Sequence, residues 1–185
     1  MRALFYELSV LAGKNDVFVE SVEGAEPFAA YFRGEPIQAP PLPPRLIYQG
    51  KKRRTTDLVA GIHVFPVVSS RLRAVAASVE PEFVQFLPVE LVCGDTGKVH
   101  SSYFFMNVLH NLDAFDWERS VYTPMASTRA VLEAEKICLR GASVGRREMF
   151  RVHGLLTHLF IGSNMQKALN AAGLTGLLIT PVECS

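Results

Sequence analysis

Cysteine is the first scarcity. Three residues, Cys93, Cys138 and Cys184, are spread over 185 positions. They are odd in number and lack metal-ligand spacing, which argues against a disulfide framework and a zinc site; a reducing cytoplasm is the simplest setting. An excess of charge is also missing. Nineteen basic against 18 acidic residues leave +1, so no global field draws the chain to nucleic acid or to an anionic membrane. No apolar run approaches the roughly 20 residues of a bilayer span. The N-terminal apolar stretch is short and interrupted by Glu7, unlike a signal peptide.

Catalytic patterns are equally sparse. The five histidines, His63, His100, His110, His153 and His158, form no HxxxH or HxH pair. His153 and His158 flank Gly154 at a spacing that suits neither one helix face nor one strand face. His158 sits in "LLTHLFI", which reads as a hydrogen-bonded core histidine. "GASVGRR" (141–147) has two glycines and two arginines but no GK[ST] ending. Ser101 and Ser102 have no GxSxG setting. Cys93 is tied to no histidine by any motif and reads as a small buried apolar residue. Asp113 and Asp116 resemble a paired-carboxylate site at i, i+3, although carboxylates near a helix start are more often caps. The expectation is no metal, no cofactor and no catalytic set.

What is present is a globular composition, 49% apolar and 20% charged. It suits one compact domain, or a strand-rich extension over residues 1–56 followed by a domain over 57–185. "ALFYELSV" reads as a strand. "DVFVESVEGAEPF" is half-exposed and acidic, with Asp16, Glu20, Glu23 and Glu26. Five prolines between positions 36 and 44 make an extended surface connector that is neither helix nor central strand. Lys51, Lys52, Arg53 and Arg54 form the densest basic run. It reads as a solvated loop or edge in preference to a nucleic-acid patch, since no aromatics interleave it.

A weak internal repeat organises the rest. "PVE" ends an apolar run at Pro88-Val89-Glu90 and again at Pro181-Val182-Glu183, 93 positions on (181 − 88). Ser70 is a candidate N-cap, and Leu72, Val75, Ala76 and Val79 make one helix stripe. Glu80-Pro81 ends that helix, and a strand over 84–89 follows. At the same offset Ser163, Met165, Ala168, Leu169 and Ala172 repeat the pattern. Gly173 closes the helix in the left-handed position, and 177–182 is the second strand. Each copy reads strand, short helix, strand, with the prolines taken to mark strand ends. Between the copies 103–109 is a buried strand, Asp113 and Asp116 lie in a turn or short helix, 131–139 is helix or strand, and 141–148 is a loop. The fold class is therefore α+β, with mixed or antiparallel sheets and a few short helices, including two strand–helix–strand units 93 residues apart.

Three blocks in order carry a family resemblance. "SSRLRAVAASVEPEFVQFLPVEL", "SYFFMNVLHNLDAFDWERS" and "MFRVHGLLTHLFIGSNMQKALNAAGLTGLLITPVE" resemble the myxobacterial-type immunity family of polymorphic toxin systems, formerly a domain of unknown function. The family's middle block reads like YYxLNVLxxxDALDxERS. Asn107, Val108, Leu109, Asp113, Asp116, Glu118, Arg119 and Ser120 fall on it. Leu169 and Ala171 to Gly176 fall on its last block, SxxLKxALxAAGLTGLxFxPV. Trp117 departs from the pattern, and the resemblance spans roughly 57–183.

The resemblance implies a cytoplasmic immunity protein, not an enzyme, that binds a cognate toxin encoded by an adjacent gene. No membrane is implied, nucleic acid is disfavoured, and self-association stays open. Candidate contacts are a partner-binding or structural turn at Asp113, Asp116, Trp117 and Ser120, with Asp116 and Ser120 better suited to bracing that turn. Charged candidates are Glu20, Glu23, Lys51, Lys52, Arg53 and Arg54. The N-terminal third, least family-like, is where partner specificity is expected. The competing readings are a small-substrate enzyme using Asp113, Asp116 or His100, and a nucleic-acid module using Lys51 to Arg54.

Overall fold

The computed structural model describes residues 5–24, 28–63, 65–109, 111–125 and 130–185; Ala3, Leu4, Glu26 and His110 of the sequence reading lie outside them. The described elements run β1 (Phe5–Val10), β2 (Phe18–Glu23), α1 (Phe28–Arg33), β3 (Arg45–Tyr48), β4 (Leu58–Gly61), β5 (Val67–Ser69) and α2 (Ser70–Val79). They continue β6 (Val84–Cys93), β7 (Val99–Val108), β8 (Asn111–Leu112), β9 (Val121–Pro124), β10 (Val131–Lys136), β11 (Cys138–Leu139) and α3 (Gly141–Val144). The chain closes with β12 (Met149–Val152), β13 (Leu155–Ile161), α4 (Ser163–Ala171) and β14 (Leu177–Cys184). This is the expected α+β class with mixed sheets.

Two sheets share the work. β2, β3, β6, β7, β5 and β4 close in that order into a barrel, which removes its sheet edges. A six-stranded sheet runs β11-β14-β1-β13-β12-β8, and β9 and β10 form a separate ribbon. Alternation along the strands sorts the side chains. Leu87, Val89 and Leu91 of β6 meet Tyr103 and Phe105 of β7 inside the barrel. Met106 and Val108 point the other way, into a second core with Leu72 and Ala76 of α2 and Met165 and Leu169 of α4. Leu8, Leu159 and Ile161 close that core from the sheet. The opposite sheet face buries Phe5, Phe150, Phe160, Phe115 and Leu139.

Both strand–helix–strand units are present, β5-α2-β6 and β13-α4-β14. Their helices start at Ser70 and Ser163, yet Ser70 is not the cap. Ser69 is extended (φ −71°, ψ 165°) and its side chain accepts from the Leu72 amide, so the cap lies one residue earlier and Ser70 opens the helix. α4 has Gly162 at its cap position, which offers no side chain. Glu148 substitutes from outside: Oε2 accepts from the amides of Asn164 and Met165, both at 3.0 Å.

The prolines of the two "PVE" copies do not end their strands. Pro88 lies within β6 opposite Phe104, and Pro181 within β14 opposite Tyr6. On the other flank the neighbouring strand begins only afterwards: β3 pairs in parallel from Glu90, and β11 from Glu183. A proline costs nothing where no strand awaits its missing donor. Each glutamate then meets a cation beside the arriving strand. Glu90 lies 3.6 Å from Arg45 and Glu183 2.9 Å from Lys136.

Other segments depart from expectation. Residues 141–144 form a short helix where a loop was expected, and 131–139 resolves as β10 and β11. The proline-rich connector is irregular, but it is clasped at buried Ile37. The Ile37 amide donates to Gln85 Oε1 (2.9 Å), and Gln85 Nε2 donates to the Ile37 carbonyl (2.6 Å). Arg151 of β12 is buried with its guanidinium 4.1 Å from the Tyr31 ring centroid, donating to the Tyr31 carbonyl, which ties α1 to the sheet. Residues 1–56 supply β1 to the middle of the six-stranded sheet and β2 and β3 to the barrel.

Candidate functional site

Local chemistry makes the 113–120 segment a braced turn. Asp116 Oδ1 accepts from the Glu118 and Arg119 amides, both at 3.2 Å. The Ser185 hydroxyl first, and then those two amides, hold its carboxyl below the usual carboxylate range. Ser120 Oγ accepts from the Cys138 amide (3.0 Å) and donates to the Cys138 carbonyl (3.3 Å), pinning β11. Trp117 packs edge-on against Phe115 and Tyr122, with ring centroids 4.7 and 5.3 Å away. Asp113 faces Arg140 at 2.9 Å on the surface. A shallow cavity of about 340 Å³ lies between Asp113, Trp117, Tyr122 and Arg140. The two aspartates are thus held by different partners. A carboxyl held low in this way suits a turn brace better than a general acid, which needs a raised pKa.

His100 stands apart from them, at the start of β7 in the barrel, with Nε2 3.5 Å from the Tyr48 hydroxyl. Burial and then Lys98 pull its pKa down. His158 is half-buried, its Nδ1 2.8 Å from Glu7 Oε1. Cys93 and Cys138 are buried and Cys184 partly so, all as free thiols. Among the described residues no group of three or more His, Cys, Asp or Glu is placed to hold a metal ion. Also among them, no helix is long and apolar enough to cross a membrane.

The charged candidates divide. Glu23 pairs with Arg45 at 3.0 Å, and Glu20 is exposed on β2. Lys51, Lys52, Arg53 and Arg54 occupy one exposed turn after β3. Arg54 forks onto Asp16 Oδ1 through Nε (2.9 Å) and Nη2 (2.8 Å). The Gly13 amide first, and then Arg54, keep the buried Asp16 carboxyl low. The backbone of Arg54 bonds Asn15 and Val17, both at 2.9 Å, and the Arg53 guanidinium donates to the Lys14 carbonyl. The basic run and the start of the acidic segment are therefore one structure, joined across 38 positions.

Sequence reasoning missed the most connected carboxylate, Asp57. Buried at the start of β4, it accepts from Ser69 Oγ (2.6 Å), Arg71 Nη1 (3.1 Å), and the Thr175 amide (2.9 Å) and hydroxyl (3.1 Å). Burial pushes its pKa up, but the bonds from Ser69 and Thr175 and the charge of Arg71 outweigh this, and the net shift is downward. No local pattern marks Asp57, because its partners lie 12 to 118 residues away. The apolar surface around Phe18 was missed for the same reason. Phe18, Val10 and Ala60 come to line one groove only when β1, β2 and β4 meet.

Against known proteins, a family model described as an immunity protein family (Imm11) matches residues 14–183. The match begins well before residue 57 and takes in β2 and β3. No curated protein matches the chain.

Proposed function

This chain belongs to the Imm11 immunity protein family, and on that premise we propose that it binds a cognate toxin and so protects the cell that makes it. The family match over residues 14–183 carries the reading. It acts by binding, without turnover, in the cytoplasm, on a toxin encoded beside it. Protection then depends on a complex that outlives the toxin's chance to act, so slow dissociation matters most. Nanomolar binding corresponds to about 12 kcal/mol, and a stable interface of this kind covers roughly 800 Å² on each partner. A few buried aromatic or arginine anchors within a polar rim supply most of that energy.

The experiment is a rescue. The reading frame adjacent to this gene is expressed in susceptible cells, alone and together with this chain, and survivors are counted. The reading expects killing alone and growth together. A harmless neighbour, or one that kills regardless, would overturn it.

A further inference from the structure

We infer that the toxin docks where the basic 50–54 turn meets the apolar groove between barrel and sheet, and that it presents an acidic segment carrying a large apolar side chain. The inference rests on the immunity reading and names the surface that reading requires.

The apolar half joins Val10 and Phe18, which line one groove, with Leu11 and Ile62 exposed next along the chain. Phe18 is 48% exposed, Leu11 55%, Ile62 61% and Val10 39%. Val10 and Leu11 leave β1 together. Phe18 opens β2 and pairs with Ala60, two residues before Ile62, whose amide donates to the Val19 carbonyl (3.0 Å). Single exposed apolar residues are ordinary, whereas contiguous ones mark contact surfaces. Val10 and Phe18 line a groove of about 390 Å³ between barrel and sheet, together with Glu7, Ala60, Thr157 and Leu159. It offers a place for one apolar anchor from a partner.

The charged half is continuous with it. Lys14 stands between Leu11 and Phe18 in the same loop, and that loop is bonded to the 50–54 turn. The turn at 94–98 joins them, since Asp95 accepts from the Gly50 (2.7 Å) and Lys51 (3.2 Å) amides. Together these turns hold six cations (Lys14, Lys51, Lys52, Arg53, Arg54 and Lys98) and two carboxylates (Asp16 and Asp95), a sum of +4. The whole chain sums to +1, which leaves −3 elsewhere (13 basic against 16 acidic residues). Net positive charge is concentrated on these bonded turns at one end of the barrel. Glu20 is exposed farther along β2, and Glu7 lines the groove itself, where His158 Nδ1 lies 2.8 Å from its Oε1.

This combination selects the occupant. An acidic partner is steered by the cations, which raises the association rate. Nucleic acid would use the cations but not the aliphatic strip, and Phe18 alone is no stacking platform. A second copy of this chain would set +4 against +4 across a two-fold axis.

The test uses the purified product of the adjacent reading frame as the probe, with binding measured at low and physiological salt. Three variants of the full chain are compared: Phe18→Ser, the double Lys51→Glu/Lys52→Glu, and Leu132→Ser on β10, which is 66% exposed on the separate ribbon. The double variant changes only exposed turn side chains, so it reports even if Phe18→Ser misfolds. Wild type and Leu132→Ser should bind alike. Phe18→Ser should weaken binding about tenfold or more, and the charge reversal should slow association about tenfold and flatten the salt dependence. If wild type binds and protects while both groove-side variants bind as tightly, the docking inference fails and the immunity reading stands. If wild type neither binds nor protects, both fall. A dimer that Phe18→Ser converts to monomer, or displacement of the probe by a 20-base-pair duplex, would also overturn the inference.

Discussion

Asp57 shows how one side chain can hold distant parts of the chain together. It is 6% exposed, and its carboxylate takes hydrogen bonds from the α2 cap, from Arg71 and from the turn before β14. Asp57→Asn would set an amide donor against donors. It should cost about 2–3 kcal/mol at neutral pH, measured by urea denaturation. The folded-state pKa lies below the unfolded value of about 3.9. The stabilisation is therefore full above the unfolded value and lost as pH falls through the folded one. The gap between wild type and variant should close as the midpoint is followed from pH 7 to below pH 4; a gap that stays constant would remove the charge from the explanation. Two glycines near Thr175 make a contrasting pair. Gly173 has φ +58° with nothing within 4 Å of a built Cβ, so Gly173→Ala should cost about 1 kcal/mol. Gly176 has φ +81° and would place a Cβ against the Leu58 carbonyl oxygen, so Gly176→Ala should cost about 2–4 kcal/mol. Equal thermal shifts for the two would contradict this geometry. Gly173 was legible because a helix end is local; Gly176 and Asp57 were not, because what constrains them is far along the chain.

At the scale of elements, periodicity was readable and boundaries were not. The stripe Leu72, Val75, Ala76 and Val79 faces the core as its spacing required, with Leu72 and Ala76 fully buried. The cap falls on Ser69, one residue before the expected Ser70, because two serines are adjacent and only backbone geometry separates them. Local sequence points to the prolines as strand ends, whereas each sits inside a strand where one flank is open. Ser120 and Asp113 lie in the same turn and should behave differently. Ser120→Ala leaves the Cys138 amide unpartnered beneath the turn and should cost about 1–3 kcal/mol. The pair between Asp113 and Arg140 is exposed, so Asp113→Ala should change stability by less than about 1 kcal/mol. Chemical denaturation of the two variants checks this. A severe loss in Asp113→Ala would show that the turn depends on that ion pair.

For the whole molecule the shared second core is decisive. Leu58, Val68 and Met106 from the barrel pack with Leu159 and Ile161 from the sheet, under α2 and α4. Barrel and sheet should therefore unfold together. Trp117 is the single tryptophan and sits against the core on the far face of the sheet. Its fluorescence and the far-UV circular dichroism should trace one urea transition, and two separated midpoints would show independent units. A chain starting at residue 57 loses β1, β2 and β3 and should not fold cooperatively. By itself the sequence determined the α+β class, the strand–helix–strand units, the absence of a recognisable catalytic motif and the family resemblance, because these rest on local periodicity, turn chemistry and ordered blocks. Only the tertiary structure decided that the barrel closes, that Pro88 and Pro181 lie where a flanking strand is missing, and that the basic turn adjoins Phe18. The physical reason is distance along the chain: Arg45 pairs with Glu90 and Phe5 with Val182, and such contacts depend on long loop closures that no local pattern encodes.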